Sequence, residues 1–148
     1  VITMDGDGQH LPEETAGFVA AFRRRPDVAI WVGTRDLGAS GMPPLRRVTN
    51  LAMSLLISGI ALQWIPDTQS GFRLVRADIL SRLRVASRHF EAESEILIRA
   101  SWLGLRIGRV PISTVYGNER SKIRAGRDTV RFFRMLAGMV LPVRGRRL

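Results

Sequence analysis

The sequence predicts an α/β fold, and three observations carry that reading. Short apolar runs at 1–4, 28–33 and 105–115 alternate with longer amphipathic stretches, the pattern of strands separated by helices. Glycine and proline punctuate the joins, at Pro26, along 38–44 and at Gly104. The 148 residues, 45% of them apolar, suffice for one core and are too few for two ordinary domains.

Each element follows from local chemistry. Residues 1–4 stop at Asp5-Gly6-Asp7-Gly8 and read as a buried strand ending at a sheet edge. Leu11-Pro12-Glu13-Glu14 sets proline and acids in a first turn, so a helix starts there and ends before Pro26. Residues 28–33 (V-A-I-W-V-G) form a second buried strand, and the Gly/Pro-rich loop 34–44 carries Arg35 and Asp36. The helix expected at 45–62 is apolar on nearly every face in its second half, so it is buried or rests against lipid. A turn at 67–74 enters a short strand, and 77–83 is a short helix. Ser94 reads as the N-cap of a helix over 95–103, with Gly104 as its stop. In the strand at 105–115, Pro111 implies an edge or a bulge. The last helix, 128–141, is amphipathic: Phe132, Phe133, Leu136, Met139 and Val140 share one face, and Arg127, Arg131 and Arg134 lie elsewhere.

Composition narrows the function classes. Cysteine is absent, which excludes a disulfide framework, a thiolate metal site and a Cys nucleophile. The net charge is +10, and nine basic residues against one acid (Asp128) fall within 120–148. Such a segment seeks phosphates, on nucleic acid, lipid head groups or substrate. The aromatic RNA-binding motifs and zinc spacings of common nucleic-acid modules are missing, so no nucleic acid is expected as a partner. The most apolar stretch, 51–62, has 12 residues, whereas a spanning helix needs about 20. The chain opens on a strand without an initiator Met, and is expected to be a fragment lacking an amino-terminal nucleotide-binding part.

Several clusters carry chemistry, each with a plainer reading beside it. Asp5 and Asp7, at i and i+2, would point to one side of an extended chain and offer hard oxygen donors to Mg²⁺ or Mn²⁺. An Asp-Gly turn is the plainer reading. Asp67-Thr68-Gln69-Ser70-Gly71-Phe72-Arg73 is either a tight turn or a ligand loop. Glu91, Glu93 and Glu95 stand at spacing two before an apolar helix, where acids also complement the helix dipole. Arg120, Ser121, Lys122 and Arg124 make a compact basic loop or a solvated charge run. His10 has no second His or Cys nearby, which favours a surface or hydrogen-bonding role over metal ligation.

Together these pieces resemble the family 2 glycosyltransferases, in the branch of dolichyl-phosphate mannose synthase and related polyprenyl-phosphate glycosyltransferases. The segments that carry the resemblance are M-D-G-D-G-Q-H-L-P-E at 4–13, V-G-T-R at 32–35, R-R-x-x-N at 46–50, D-T-Q-S-G-F-R at 67–73, F-E-A-E-S-E-I-L at 90–97, G-L-R-I-x-x-V-P-I at 104–112 and S-K-I-R at 121–124, in the family's order. The resemblance implies a partial GT-A, Rossmann-like fold, with a catalytic domain over 1–118 followed by a basic loop and amphipathic helix at 119–148. It implies that Asp5 and Asp7 hold Mg²⁺ or Mn²⁺ on the diphosphate of a nucleotide-sugar donor and that Gln9 lies beside that donor. Arg35 and the 67–73 loop, with Gln69, Ser70 and Arg73, would line the acceptor side, and Arg120, Ser121 and Lys122 would close over phosphate.

The expected activity is inverting sugar transfer, most simply to a polyprenyl phosphate acceptor at the cytoplasmic membrane face. A phosphate acceptor is already anionic near pH 7 and demands no strong base. A hydroxyl acceptor would need one, for which Asp67 is the candidate, with Glu95 behind it. The apolar 51–62 stretch and the amphipathic 128–141 helix both suit a membrane surface. Two other readings remain open: a basic module binding anionic membrane or nucleic acid, and a paired-carboxylate glycoside hydrolase. The isolated chain is expected to bind nucleotide-sugar poorly and to turn over slowly or not at all.

Overall fold

The computed structural model describes residues 1–6, 8–35, 42–87, 90–113 and 125–141. In order they form β1 (Ile2–Thr3), a 3-10 turn (Pro12–Glu14), α1 (Thr15–Arg24), β2 (Val28–Arg35), α2 (Pro44–Ala61), β3 (Arg73–Val75), α3 (Ala77–Leu80), α4 (Phe90–Trp102), β4 (Arg106–Ile112) and α5 (Ala125–Val140). The expected α/β class is what the chain adopts. The strands make one sheet in the order β1-β3-β2-β4. β4 lies parallel to β2, and β3 runs antiparallel to both β1 and β2, so the sheet is mixed.

Helices cover both faces, which is why Val28 to Gly33 of β2 are buried without alternation. On one face α1 sets Phe18 and Ala21 against Trp31, Phe72 and Val110. On the other, Ala61 at the end of α2, Ile79 of α3, and Leu97 and Ala100 of α4 pack on Ile30, Val32 and Val75. α5 forms a further layer, with Phe132 and Leu136 buried against Ile57 of α2 and Ile98 of α4.

Several elements depart from the sequence expectation. β1 is a two-residue strand that, among the described residues, pairs only with β3; Ile2 is half-buried and Thr3 exposed, and it is not a buried strand. α4 begins at Phe90, which makes Ser94 a buried helical residue instead of an N-cap; Glu91 and Glu93 occupy the first turn, where they complement the dipole. On α5, Phe132 and Leu136 are buried inside the protein and cannot enter a membrane, while Phe133 and Val140 remain exposed.

Other expectations hold. Pro111 sits on the edge strand β4. Gly104 ends α4 at φ +71°, with its N–H bonded to Ser101 O and the Leu105 N–H to Ala100 O, the two bonds of a Schellman stop. α2 ends in the same motif, yet its left-handed residue is Leu62 at φ 54°. Nothing in the local composition announces a leucine in that conformation.

Candidate active site

Pairing of Thr3 with Arg73 lays the residues after β1 beside those before β3. The Thr3 hydroxyl donates to the Gly71 carbonyl (3.2 Å), and Asp5 lies directly against Gly71. A methyl group at Gly71 would fall 2.5 Å from Asp5 Oδ2 and 2.6 Å from its Cγ, so only glycine leaves the carboxylate its place. His10 is buried and brings Nε2 to 3.7 Å from Asp5 Oδ2. That is longer than a hydrogen bond, and the contact is an electrostatic one. Its ring leans on Phe72 (5.3 Å between centroids), which leans on Phe18 (4.5 Å). The Asp5 side chain stays 48% exposed. The His10 ring holds the Asp5 carboxyl below its ordinary value against partial burial, with Arg73 and Arg35 adding to the effect.

The 67–73 loop is tied down at nearly every residue. Asp67 is buried and takes Arg35 Nε on Oδ2 and Nη2 on Oδ1, both at 2.7 Å, and the Arg35 backbone N–H at 3.2 Å. The Thr68 N–H donates to Ser54 Oγ of α2 (3.1 Å), and the half-buried Gln69 donates to Thr68 Oγ1 (3.2 Å). Arg73 is fully enclosed. Its Nε donates to Ser70 O (2.7 Å), Nη2 to Thr68 O (3.0 Å) and Glu93 Oε2 (3.3 Å), and Nη1 to Glu93 O (2.8 Å). Burial pushes its guanidinium pKa down, opposed by the charges of Glu93, Asp67 and Asp5. Burial likewise raises the Glu93 carboxyl, with Arg73 opposing and Asp5 reinforcing the shift. Among the described residues, the buried Ser70 Oγ and His10 Nδ1 find no hydrogen-bond partner.

The structure therefore gathers Asp5, Arg35, Asp67 and Arg73, with Gln69 and Ser70 in the same loop and the half-buried Gln9 next to His10. Arg73 spends its side chain on protein carbonyls and Glu93, so it shapes the loop. Glu95 is turned elsewhere: it accepts the Ala86 and Ser87 N–H groups (3.1 and 2.9 Å) and Arg99 Nε (2.5 Å). Burial alone would raise its carboxyl, but these bonds and the Ser87 side chain outweigh burial and lower it. Residues two apart on a helix face nearly opposite ways, so Glu93 is the acid that joins Arg73 and Asp5. Placing the helix start at Ser94 concealed this, although the spacing of the acids was visible. His10 and Gly71 were also missed, one as an isolated histidine and the other as an ordinary turn glycine. Asp7, Arg120, Ser121 and Lys122 lie outside the described residues.

Beside this cluster a cavity of about 280 Å³ is lined by Thr34, Arg35, Arg109, Pro111 and Ile112, at the carboxyl ends of the parallel strands β2 and β4. That is where open α/β sheets take ligands. Among the described residues no three His, Cys, Asp or Glu side chains come close enough to hold a metal ion alone. A hard cation that draws most of its ligands from a diphosphate and water needs few carboxylates. The half-exposed Asp5 oxygens fit such a cation as one anchor.

No family model matches the chain. It is 32% identical over 120 residues to a UDP-N-acetylglucosamine–dolichyl-phosphate N-acetylglucosaminyltransferase of Methanococcus voltae, covering 78% of this chain and 47% of that protein. It is 30% identical over 124 residues to an undecaprenyl-phosphate mannosyltransferase of Micrococcus luteus (78% and 49%). An uncharacterised protein of Methanocaldococcus jannaschii is 29% identical over 147 residues (95% and 59%). The chain thus spans about half the length of the two named relatives. These similarities support a relation of this chain to the family 2-like glycosyltransferases.

Proposed function

We propose that this chain serves an inverting glycosyltransferase that moves a sugar from a nucleoside-diphosphate sugar to a polyprenyl phosphate at a membrane surface. The observation that carries the proposal is the half-exposed carboxylate of Asp5 seated against Gly71 of the 67–73 loop, whose Asp67 is paired with Arg35 of the cavity lining. Asp5, together with Asp7, would hold Mg²⁺ or Mn²⁺, which when bound neutralises charge on a departing diphosphate. Gln9 is assigned to the donor side.

A phosphate acceptor suits what the acids do. Asp67 is paired with Arg35, and Glu95 is enclosed by backbone N–H groups and Arg99, so neither offers a free base. Attack by an oxygen that is already anionic requires orientation more than deprotonation. The loop bearing Gln69 and Ser70, braced by Arg73, supplies one wall for that orientation. Arg120, Ser121 and Lys122 are assigned to the acceptor or donor phosphate by charge.

A surface for lipid is supported by α2. Leu45, Val48 and Leu55 are exposed along one helical line, with the Leu62 cap, Trp64 and Trp102 exposed as well. Residues 37–66 contain no acid, and Arg46 and Arg47 are their only charges. Exposed apolar side chains with basic flanks match an anionic lipid surface. No helix among the described residues is long and apolar enough to cross a membrane.

The test is incorporation of labelled sugar from UDP-N-acetylglucosamine or GDP-mannose into solvent-extractable undecaprenyl or dolichyl phosphate, using the gene product that carries this chain. Extractable label that disappears in Asp5→Asn supports the proposal. Undiminished transfer by Asp5→Asn removes Asp5 from the reaction.

A further inference from the structure

We infer that His10 and Gly71 form a seat that holds the Asp5 carboxylate in one orientation, making both of them positioning residues for whatever Asp5 binds. The inference rests on the reading of Asp5 as a donor-side ligand and adds residues to which no role in that site has been given. Gly71 closes one side of the carboxylate so tightly that any Cβ would overlap its oxygens. His10 approaches Oδ2 from within the protein, and the stack His10–Phe72–Phe18 carries that contact into the core. Thr3 completes the frame by donating to the Gly71 carbonyl.

The 67–73 loop therefore acts through two routes. It is assigned to the acceptor side through the half-buried Gln69, with Ser70 buried behind it, and it backs the donor side with Gly71 and Phe72. This explains why a loop walled by glycine at 71 is also anchored by the enclosed Arg73: a shift of the loop would release Asp5. Neighbours that orient a ligating side chain change metal affinity by about 10–100-fold when removed. Gln at position 10 can present an amide N–H close to where His10 Nε2 lies; Ala cannot.

The experiment has two readouts on the full chain and on His10→Ala, His10→Gln and Gly71→Ala. The first, without metal, is the Asp5 χ1 rotamer from three-bond NMR couplings. The second is Mn²⁺ affinity from paramagnetic broadening of the Gly6 and Gly71 amides. The expected result is a single rotamer in the native chain and in His10→Gln, with averaging in His10→Ala and Gly71→Ala. Mn²⁺ affinity should fall about tenfold in those two variants. Unchanged Asp5 couplings in His10→Ala overturn the seat, and this variant decides even if Gly71→Ala does not fold. Averaged couplings in His10→Ala, in a protein whose native form binds no Mn²⁺, uphold the seat and instead count against Asp5 as a metal ligand.

Discussion

The Asp67–Arg35 pair separates a structural from a catalytic reading of the loop. Two hydrogen bonds at 2.7 Å and one at 3.2 Å converge on a carboxylate that is 2% exposed, and the Arg35 side chain is 8% exposed. Removing one member of such a pair leaves the other charge buried and costs about 3–5 kcal/mol. Asp67→Ala and Arg35→Ala should each lose about that much in urea unfolding at pH 7. The double variant should fall short of the summed losses by at least about 2 kcal/mol, because each single change also orphans its partner. Asp67→Asn should lower stability and sugar transfer together. A general base would instead lose transfer at unchanged stability. Single losses below about 1 kcal/mol with no coupling would refute the reasoning, since surface pairs behave that way.

Further outcomes follow from other contacts. Glu95→Gln should cost about 2 kcal/mol at pH 7, the scale of hydrogen bonds to a charged group. Because the folded Glu95 carboxyl lies below its ordinary value of 4.5, its contribution is present above that pH and is lost as pH falls through the folded value, so the variant's acid unfolding limb should be shallower. Leu62→Gly should raise stability by about 0.5–1 kcal/mol, since a left-handed leucine costs more than the added freedom of glycine; a lower melting temperature would contradict this. Leu55→Ser should weaken sedimentation with anionic vesicles by about tenfold. Phe132→Ala should instead reduce stability by about 3 kcal/mol, and a vesicle effect confined to Phe132 would transfer the lipid face from α2 to α5.

The parts of the fold that were legible in the sequence are those set by continuous apolar runs and by backbone-restricted residues. β2, Gly104 and Pro111 stand where local chemistry alone puts them. The errors arose where tertiary contacts override local signals. Ser94 has N-cap chemistry, yet packing of the 90–102 segment extends the helix through it. Phe132 and Phe133 look equivalent on a helical wheel, and only the presence of Ile57 and Ile98 decides which is buried. Asp5 and the 67–73 loop were singled out from residue type, but their contact through Gly71 joins positions 66 residues apart, which no local pattern encodes. Glu93 was one of three acids until the helix phase selected it.

Acceptor chemistry decides the central question. The gene product carrying this chain, given labelled nucleotide-sugar with polyprenyl phosphate, polyprenol or water in parallel, should label only the phosphate, because Asp67 and Glu95, the two candidate bases, are both committed to other partners. Equal labelling of the polyprenol, or release of free sugar alone, would contradict that result.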